Sequence, residues 1–233
     1  VSLELGGKGA NIVFEDADID NAIHWAVEAI FRNAGQICLA GSRLFVHSSL
    51  YESFMERFVA AAEALTIGDP FDPATKFSSL ASKRHFDKVA SYVESARELG
   101  GTIRTGGVAE DGTWVVRPTI IDGLALDAAP YCEEIFGPVC VVNSFDTEEE
   151  VVHLANDTRY GLNAMLFTEN LSRAHRVASK LRAGTVWVNC FFIRDLRTPF
   201  GGVGDSGVGR EGGNFSREFF TEPKAVVMQI DRG

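Results

Sequence analysis

Basic residues are scarce in this sequence. It has 22 lysines and arginines against 32 aspartates and glutamates, a formal net charge of -10 and a pI near 5.0. Surfaces that bind nucleic acid or anionic membranes need clustered cations to meet phosphates, so neither partner is expected. No apolar run reaches the roughly 18 residues of a membrane span, and no charged and apolar leader opens the chain. Cysteine is sparse too: Cys38, Cys132, Cys140 and Cys190 include no C-x-x-C pair. That argues against a zinc site, a redox dithiol or a disulfide framework and suits a reducing cytoplasm. The five histidines (His24, His47, His85, His153, His175) share no motif and read as structural or solvated. Internal repeats and low-complexity segments are absent. The sequence opens without methionine on Val1-Ser2-Leu3-Glu4-Leu5, an alternation already under way, which reads as the inside of a longer protein.

The 233 residues, 45% of them hydrophobic, are enough to bury one sizeable core. Short apolar runs alternate with amphipathic ones. After the opening strand come a strand at Asn11 to Phe14, a helix capped by Asp18 and ending near Gly35, and a strand at Arg43 to His47. A helix capped by Ser49 runs to about Leu65, and a turn-rich connection follows at 68–73. A helix from Lys83 to Leu99 precedes a short strand at Thr102 to Arg104, a polar glycine-rich loop over 106–113, and Trp114 to Ile121. Pro118 favours an edge or irregular position for that last run. Val139 to Phe145, a Thr147-capped helix to Ala155, Asn163 to Thr168, Leu171 to Leu181 and Gly184 to Val188 complete the series. Such alternation predicts an α/β fold whose mostly parallel sheet is flanked by helices. Lys224 to Ile230 reads as a final apolar strand with no local partner, which points to pairing with another chain.

Within this order one stretch is set up for chemistry. In Asn33-Ala34-Gly35-Gln36-Ile37-Cys38-Leu39-Ala40-Gly41 a cysteine framed by small residues lies on a turn between a helix and a strand, where a thiol can meet a substrate. A lone cysteine is more often an inert, buried apolar residue, so the case rests on its company. That company is Glu4-Leu5-Gly6-Gly7-Lys8, Gly35-Gln36-Ile37-Cys38, Glu133-Glu134-Ile135-Phe136-Gly137-Pro138-Val139, and Pro199-Phe200-Gly201-Gly202 followed by Ser206-Gly207-x-Gly209-Arg210-Glu211. In words, spacing and order the set resembles the NAD(P)-dependent aldehyde dehydrogenase superfamily, from Val1 to about Ile230, and only its C-terminal half. No G-x-G-x-x-G following a strand replaces the cofactor-binding domain of that family.

The resemblance implies roles. Cys38 is the nucleophile that forms a thiohemiacetal and then a thioester, and its own backbone N–H helps to hold the oxyanion. Glu4 is the base that activates the deacylating water, its pKa raised by desolvation between Leu3 and Leu5. Glu134 holds the nicotinamide ribose, Phe136 lies beside the nicotinamide, and Leu5 and Gly6 complete the cofactor contacts. NAD is the expected cofactor, with NADP open. Lys8 is structural, and the glycines from Gly201 to Gly209 serve packing and turns. The same resemblance divides the chain into a catalytic domain, 1–220, and an oligomerisation strand with tail, 221–233, in a homodimer or homotetramer. It makes the partner a small-molecule aldehyde.

Phe191-Phe192-Ile193-Arg194-Asp195-Leu196-Arg197 is similar to the branch of the family that oxidises semialdehydes from aromatic ring cleavage, such as hydroxymuconic or aminomuconic semialdehydes. Those substrates carry a carboxylate. Arg194 is the candidate clamp, against a surface arginine paired with Asp195 or Glu211, and Phe192 and Phe200 are pocket walls or core. The 233 residues by themselves are expected to have little dehydrogenase activity. Two rivals stand beside this reading: a CoA-acylating dehydrogenase, which would not need Glu4, and a non-catalytic assembly module.

Overall fold

The computed structural model describes residues 1–108 and 113–231. The chain starts with the two-residue β1 (Leu3–Glu4), then β2 (Ala10–Val13), whose four residues are all buried. Asp18 caps α1 (Ile19–Phe31), its carboxylate accepting from the Asn21 backbone N–H, and β3 (Arg43–His47) follows. Next come α2 (Tyr51–Glu63) and α3 (Lys83–Glu98), the latter capped by Ser82. The hairpin β4 (Thr102–Val108) and β5 (Val116–Asp122), the single turn α4 (Ala129–Cys132), and β6 (Val139–Phe145) continue the chain. Then α5 (Glu148–Asn156), β7 (Asn163–Phe167), α6 (Leu171–Lys180) and β8 (Thr185–Val188) follow. The last elements are β9 (Gly207–Val208) and α7 (Gly213–Phe220).

Among the described residues, seven strands form one sheet in the order β4-β5-β6-β3-β2-β7-β8, parallel except for the β4–β5 hairpin, and β1 pairs separately with β9. The expected α/β architecture is therefore present. α1 buries one apolar stripe, through Ala22, Ile23, Ala26, Ala29 and Ile30, which is how βαβ units cover a parallel sheet.

The strand order decides where the site forms. β6, β3, β2 and β7 are consecutive neighbours and mutually parallel, so their amino ends lie on one edge. The segments entering them are residues 133–138, 38–42, 4–9 and 160–162. Two buried cations fix that edge. Arg43 donates from Nε to the Lys8 carbonyl (3.0 Å) and from Nη1 and Nη2 to the Leu154 and Ala155 carbonyls (3.0 and 2.8 Å) at the end of α5, where a cation suits the helix dipole. Lys8 donates from Nζ to the Pro130 carbonyl (2.8 Å), a structural role. Burial, followed by repulsion from Arg43, pushes the Lys8 ammonium down to about 7.

Several sequence expectations need correction. Ser49 does not cap α2: its side chain pairs with His47 Nδ1 (2.8 Å), inside a short 3-10 turn at Ser48–Leu50 that precedes the helix. The first helix stops at Phe31, short of Gly35. The strand placed at Thr102 to Arg104 extends to Val108, because β5 supplies a partner across a bulged register, so 106–108 are strand. Residues 109–112 of the expected loop lie outside the described residues. Pro118 does sit where the β4–β5 register shifts, yet β5 is not an edge, since β6 pairs its other side. Finally, 224–230 forms no strand within the single chain. A strand needs a partner's ladder, and Val226, Val227, Met228 and Ile230 stand exposed.

Candidate active site

After α1 the chain turns through Asn33 and Ala34, both left-handed (φ 53° and 54°), a conformation that costs roughly 1–2 kcal/mol per non-glycine residue. Local bonds hold the turn. Asn33 donates from Nδ2 to the Gln36 carbonyl (3.1 Å), and the Gln36 carboxamide oxygen accepts from the Ala81 backbone N–H (3.0 Å). Gly35, at φ 68°, passes so close to the Gly137 carbonyl that a methyl group there would stand 2.2 Å from its oxygen. The cysteine turn and the segment entering β6 are thereby pressed together. Gly7 does the same for the segment entering β2: a Cβ on it would lie 2.2 Å from the Cys38 carbonyl oxygen.

Cys38 emerges from this packing half-buried. Desolvation raises its thiol above the ordinary range, the Glu134 carboxylate adds to that, and Glu4 adds less. Backbone N–H groups of Cys38 and Leu39 act in the opposite sense. Among the described residues the Cys38 N–H donates to no carbonyl.

Glu4 ends β1, and Leu5 N–H donates to the Ser206 carbonyl (3.0 Å), which ties this strand to the glycine-rich segment. Both Glu4 carboxylate oxygens are buried with no hydrogen-bond partner among the described residues. Desolvation first, then Glu211, raises the Glu4 carboxyl, while Arg210 and Arg194 pull it down.

Glu134 Oε1 accepts from Gly7 N–H (2.9 Å), and its other oxygen lies over Gly6. Phe136, left-handed at φ 59° and 36% exposed, points outward, as does Leu5 at 49%. The segment Glu133–Gly137 is held by one face of α3. His85 Nε2 lies 2.7 Å from the Phe136 carbonyl and its ring meets the Phe136 ring edge-on. Lys88 donates to the Glu134 carbonyl (3.1 Å), and the Tyr92 hydroxyl to Glu133 Oε2 (2.5 Å). His85 is thus structural, as expected of the five histidines, and it stands in no motif with Lys88 or Tyr92. Their spacing at 85, 88 and 92 marks a single helix face and was the available signal.

Arg194 is exposed and stacks over Phe200 (4.7 Å) and Phe192 (5.6 Å). It forms no pair with Asp195 or Glu211: Arg197 takes Asp195 in a forked contact. Phe192 is left-handed (φ 58°), and the Phe200 backbone bridges Glu211 (2.8 and 2.7 Å). Both rings pack on the core from partly buried positions. Arg194, Phe200, Trp187, Thr185 and Glu211 line a cavity of about 610 Å³, whose lining includes neither Cys38 nor Glu4. The stretch from Gly201 to Gly209 serves packing, as expected: Gly184 and Gly201 meet backbone to backbone, and Gly207 lies against the Leu3 carbonyl. Among the described residues no group of three His, Cys, Asp or Glu side chains is placed to hold a metal ion, and no helix is long and apolar enough to cross a membrane.

Residues 1–226 match the aldehyde dehydrogenase family. The chain is 51% identical, over 99% of its own length and 49% of the relative's, to a 2-hydroxymuconic semialdehyde dehydrogenase from Pseudomonas sp. (strain CF600). It is 45% identical, over 98% of its length and 49% of the relative's, to a 2-aminomuconic semialdehyde dehydrogenase from Homo sapiens. In structure it resembles the NAD+ complex of an aldehyde dehydrogenase from Bacillus cereus, with a TM-score of 0.93 and 42% identity over 99% of this chain and 47% of that one. The chain thus spans about half the length of the curated relatives it matches.

Proposed function

This chain belongs to the aldehyde dehydrogenase family, and from that footing we propose that the whole protein oxidises a carboxylated semialdehyde to the acid, with NAD as hydride acceptor. The observation that supports the reading is that Glu134, bonded to the Gly7 N–H, and Cys38, whose carbonyl packs on Gly7, meet at the amino ends of β6, β3 and β2, with Glu4 three residues before Gly7.

The Cys38 thiolate adds to the aldehyde carbon, forming a C–S bond and an oxyanion, towards which the Cys38 N–H donates. NAD, when bound, would supply the hydride acceptor for this oxidation, and Cys38 holds the acyl group as a thioester. Glu4 removes a proton from water as its oxygen attacks that thioester, the C–S bond breaks and the carboxylic acid leaves. A carboxyl group with a raised pKa is a fitting base here, because its unpartnered oxygens are free to accept that proton. The space around Glu134 fits the cofactor: its carboxylate is the group that would accept from ribose hydroxyls, with Phe136 and Leu5 offering exposed apolar flanks and Gly6 no side chain. Arg194, backed by Phe192 and Phe200, receives the substrate carboxylate.

The supporting relatives are named for hydroxymuconic and aminomuconic semialdehydes, so that substrate class is the one we assign. Homo-oligomerisation through the exposed tail, 221–231, is part of the same reading, as is a reducing, cytoplasmic setting for four free thiols. The 233 residues by themselves should turn over little, since no stretch among them follows the dinucleotide-binding pattern. NADH formation by the whole protein from 2-hydroxymuconic semialdehyde tests the assignment. Activity that survives Cys38→Ala would refute it.

A further inference from the structure

Phe192 carries two guanidinium groups, and only one belongs to the reading above. The Arg32 Cζ lies 5.6 Å from the Phe192 ring centroid, the same distance as the Arg194 Cζ, so the two cations are separated by no more than twice that length. Arg32 is the first residue after α1 and opens the turn that delivers Cys38. Both side chains are exposed, and among the described residues neither has a hydrogen bond or a carboxylate within 4.0 Å. The nearest acid along the chain from Arg194, Asp195, is occupied by Arg197.

Holding two like charges on one ring is unfavourable unless something offsets their repulsion. An exposed cation–π contact is worth only about 0.5–1 kcal/mol. The turn that presents the ring is itself strained, with Asn189 and Phe192 both left-handed. Strain of that kind persists where the surroundings over-determine it, often at ligand clamps. Two guanidiniums without a salt-bridge partner among the described residues, one fixed to the nucleophile's turn and both on the Phe192 ring, form a two-point receptor for an anion.

We propose that Arg32 is a second specificity-determining cation, and that with Arg194 it selects an aldehyde bearing two negative charges. This rests on the semialdehyde reading above and sharpens it. An enol conjugated through double bonds to an aldehyde is a vinylogous acid, so a hydroxy-substituted muconic semialdehyde offers a carboxylate and an ionisable enol. Its amino counterpart offers only the carboxylate. The geometry therefore favours the hydroxy compound. Arg194 takes one anionic group and Arg32 the other.

The test uses the whole protein and three probes: 2-hydroxymuconic semialdehyde, an aliphatic semialdehyde with one carboxylate, and an uncharged aliphatic aldehyde. Arg32→Met should raise KM for the first by about tenfold and for the second by no more than about twofold, and Arg32→Lys should recover part of the loss. Arg194→Met should raise KM for both anionic probes. Equal effects of Arg32→Met on all three probes, or none on the first, overturn this inference while leaving the Arg194 clamp intact. A wild-type enzyme with equal kcat/KM for charged and uncharged probes removes the semialdehyde reading and this inference together.

Discussion

The Glu134 carboxylate accepts a 2.9 Å hydrogen bond from the backbone N–H of Gly7, a residue 127 positions earlier. That bond joins the segment entering β6 to the one entering β2, and between them, at the entrance to β3, lies Cys38. Glu134 is therefore a structural tie, a source of negative potential on the thiol and the candidate ribose ligand at once.

From the second of those roles follows a change in thiol reactivity. Glu134→Gln keeps an acceptor for Gly7 and removes the charge that helps to hold the Cys38 thiol up. Its pKa should fall, and alkylation at neutral pH should speed up several-fold, because the thiolate is the reactive form. Iodoacetamide labelling followed by mass spectrometry of the Cys38 peptide separates it from the exposed Cys132. An unchanged or slower rate would mean that Glu134 does not reach the sulfur.

Adjacent glycines should respond differently to alanine. At Gly6 the added methyl meets the end of the flexible Glu134 side chain, which can swing away. At Gly7 it meets the backbone carbonyl of Cys38, which cannot. Gly7→Ala should cost about 1–3 kcal/mol and Gly6→Ala clearly less, as read from urea unfolding midpoints. The reverse order would contradict the packing of the cysteine turn on Gly7.

Lys8 should make stability depend on pH. Its ammonium titrates near 10.5 in the unfolded chain and about 7 in the fold. Between those values the unfolded state binds the extra proton, so this position adds stability as pH rises, by up to about 1.4 kcal/mol per unit. Below pH 7 both states are protonated and the burial penalty is at its full size. Wild type should gain on Lys8→Met across that window in urea titrations. Parallel curves for the two proteins would show that Lys8 keeps its proton.

Much of this fold was legible because it is local. Asp18 and Thr147 cap their helices through their own side chains, and the alternation of apolar runs gave the parallel sheet. What escaped depends on distant partners. β4 reaches Val108 only because β5 lies beside it, and 224–230 has no strand partner among the described residues. α7 also went unseen, since Gly213 and Asn214 at its start disguise the Phe215 and Phe219 pair one turn apart. At the site, the candidates Cys38, Glu4 and Glu134 are carried by motifs, whereas the contacts of His85 and Arg32 are visible only in three dimensions. Neither stands in a signature, and each matters through a ring contributed from far along the chain, Phe136 for one and Phe192 for the other.

The central claim is that Cys38 and Glu4 share one cleft and divide the reaction between acylation and deacylation. Rapid-mixing measurement of NADH formation by the Glu4→Gln whole protein tests it most directly. The predicted result is a burst of about one equivalent per site at near wild-type rate, followed by steady turnover slowed by about 10²–10³-fold. Steady turnover of that variant at the wild-type rate would contradict the account.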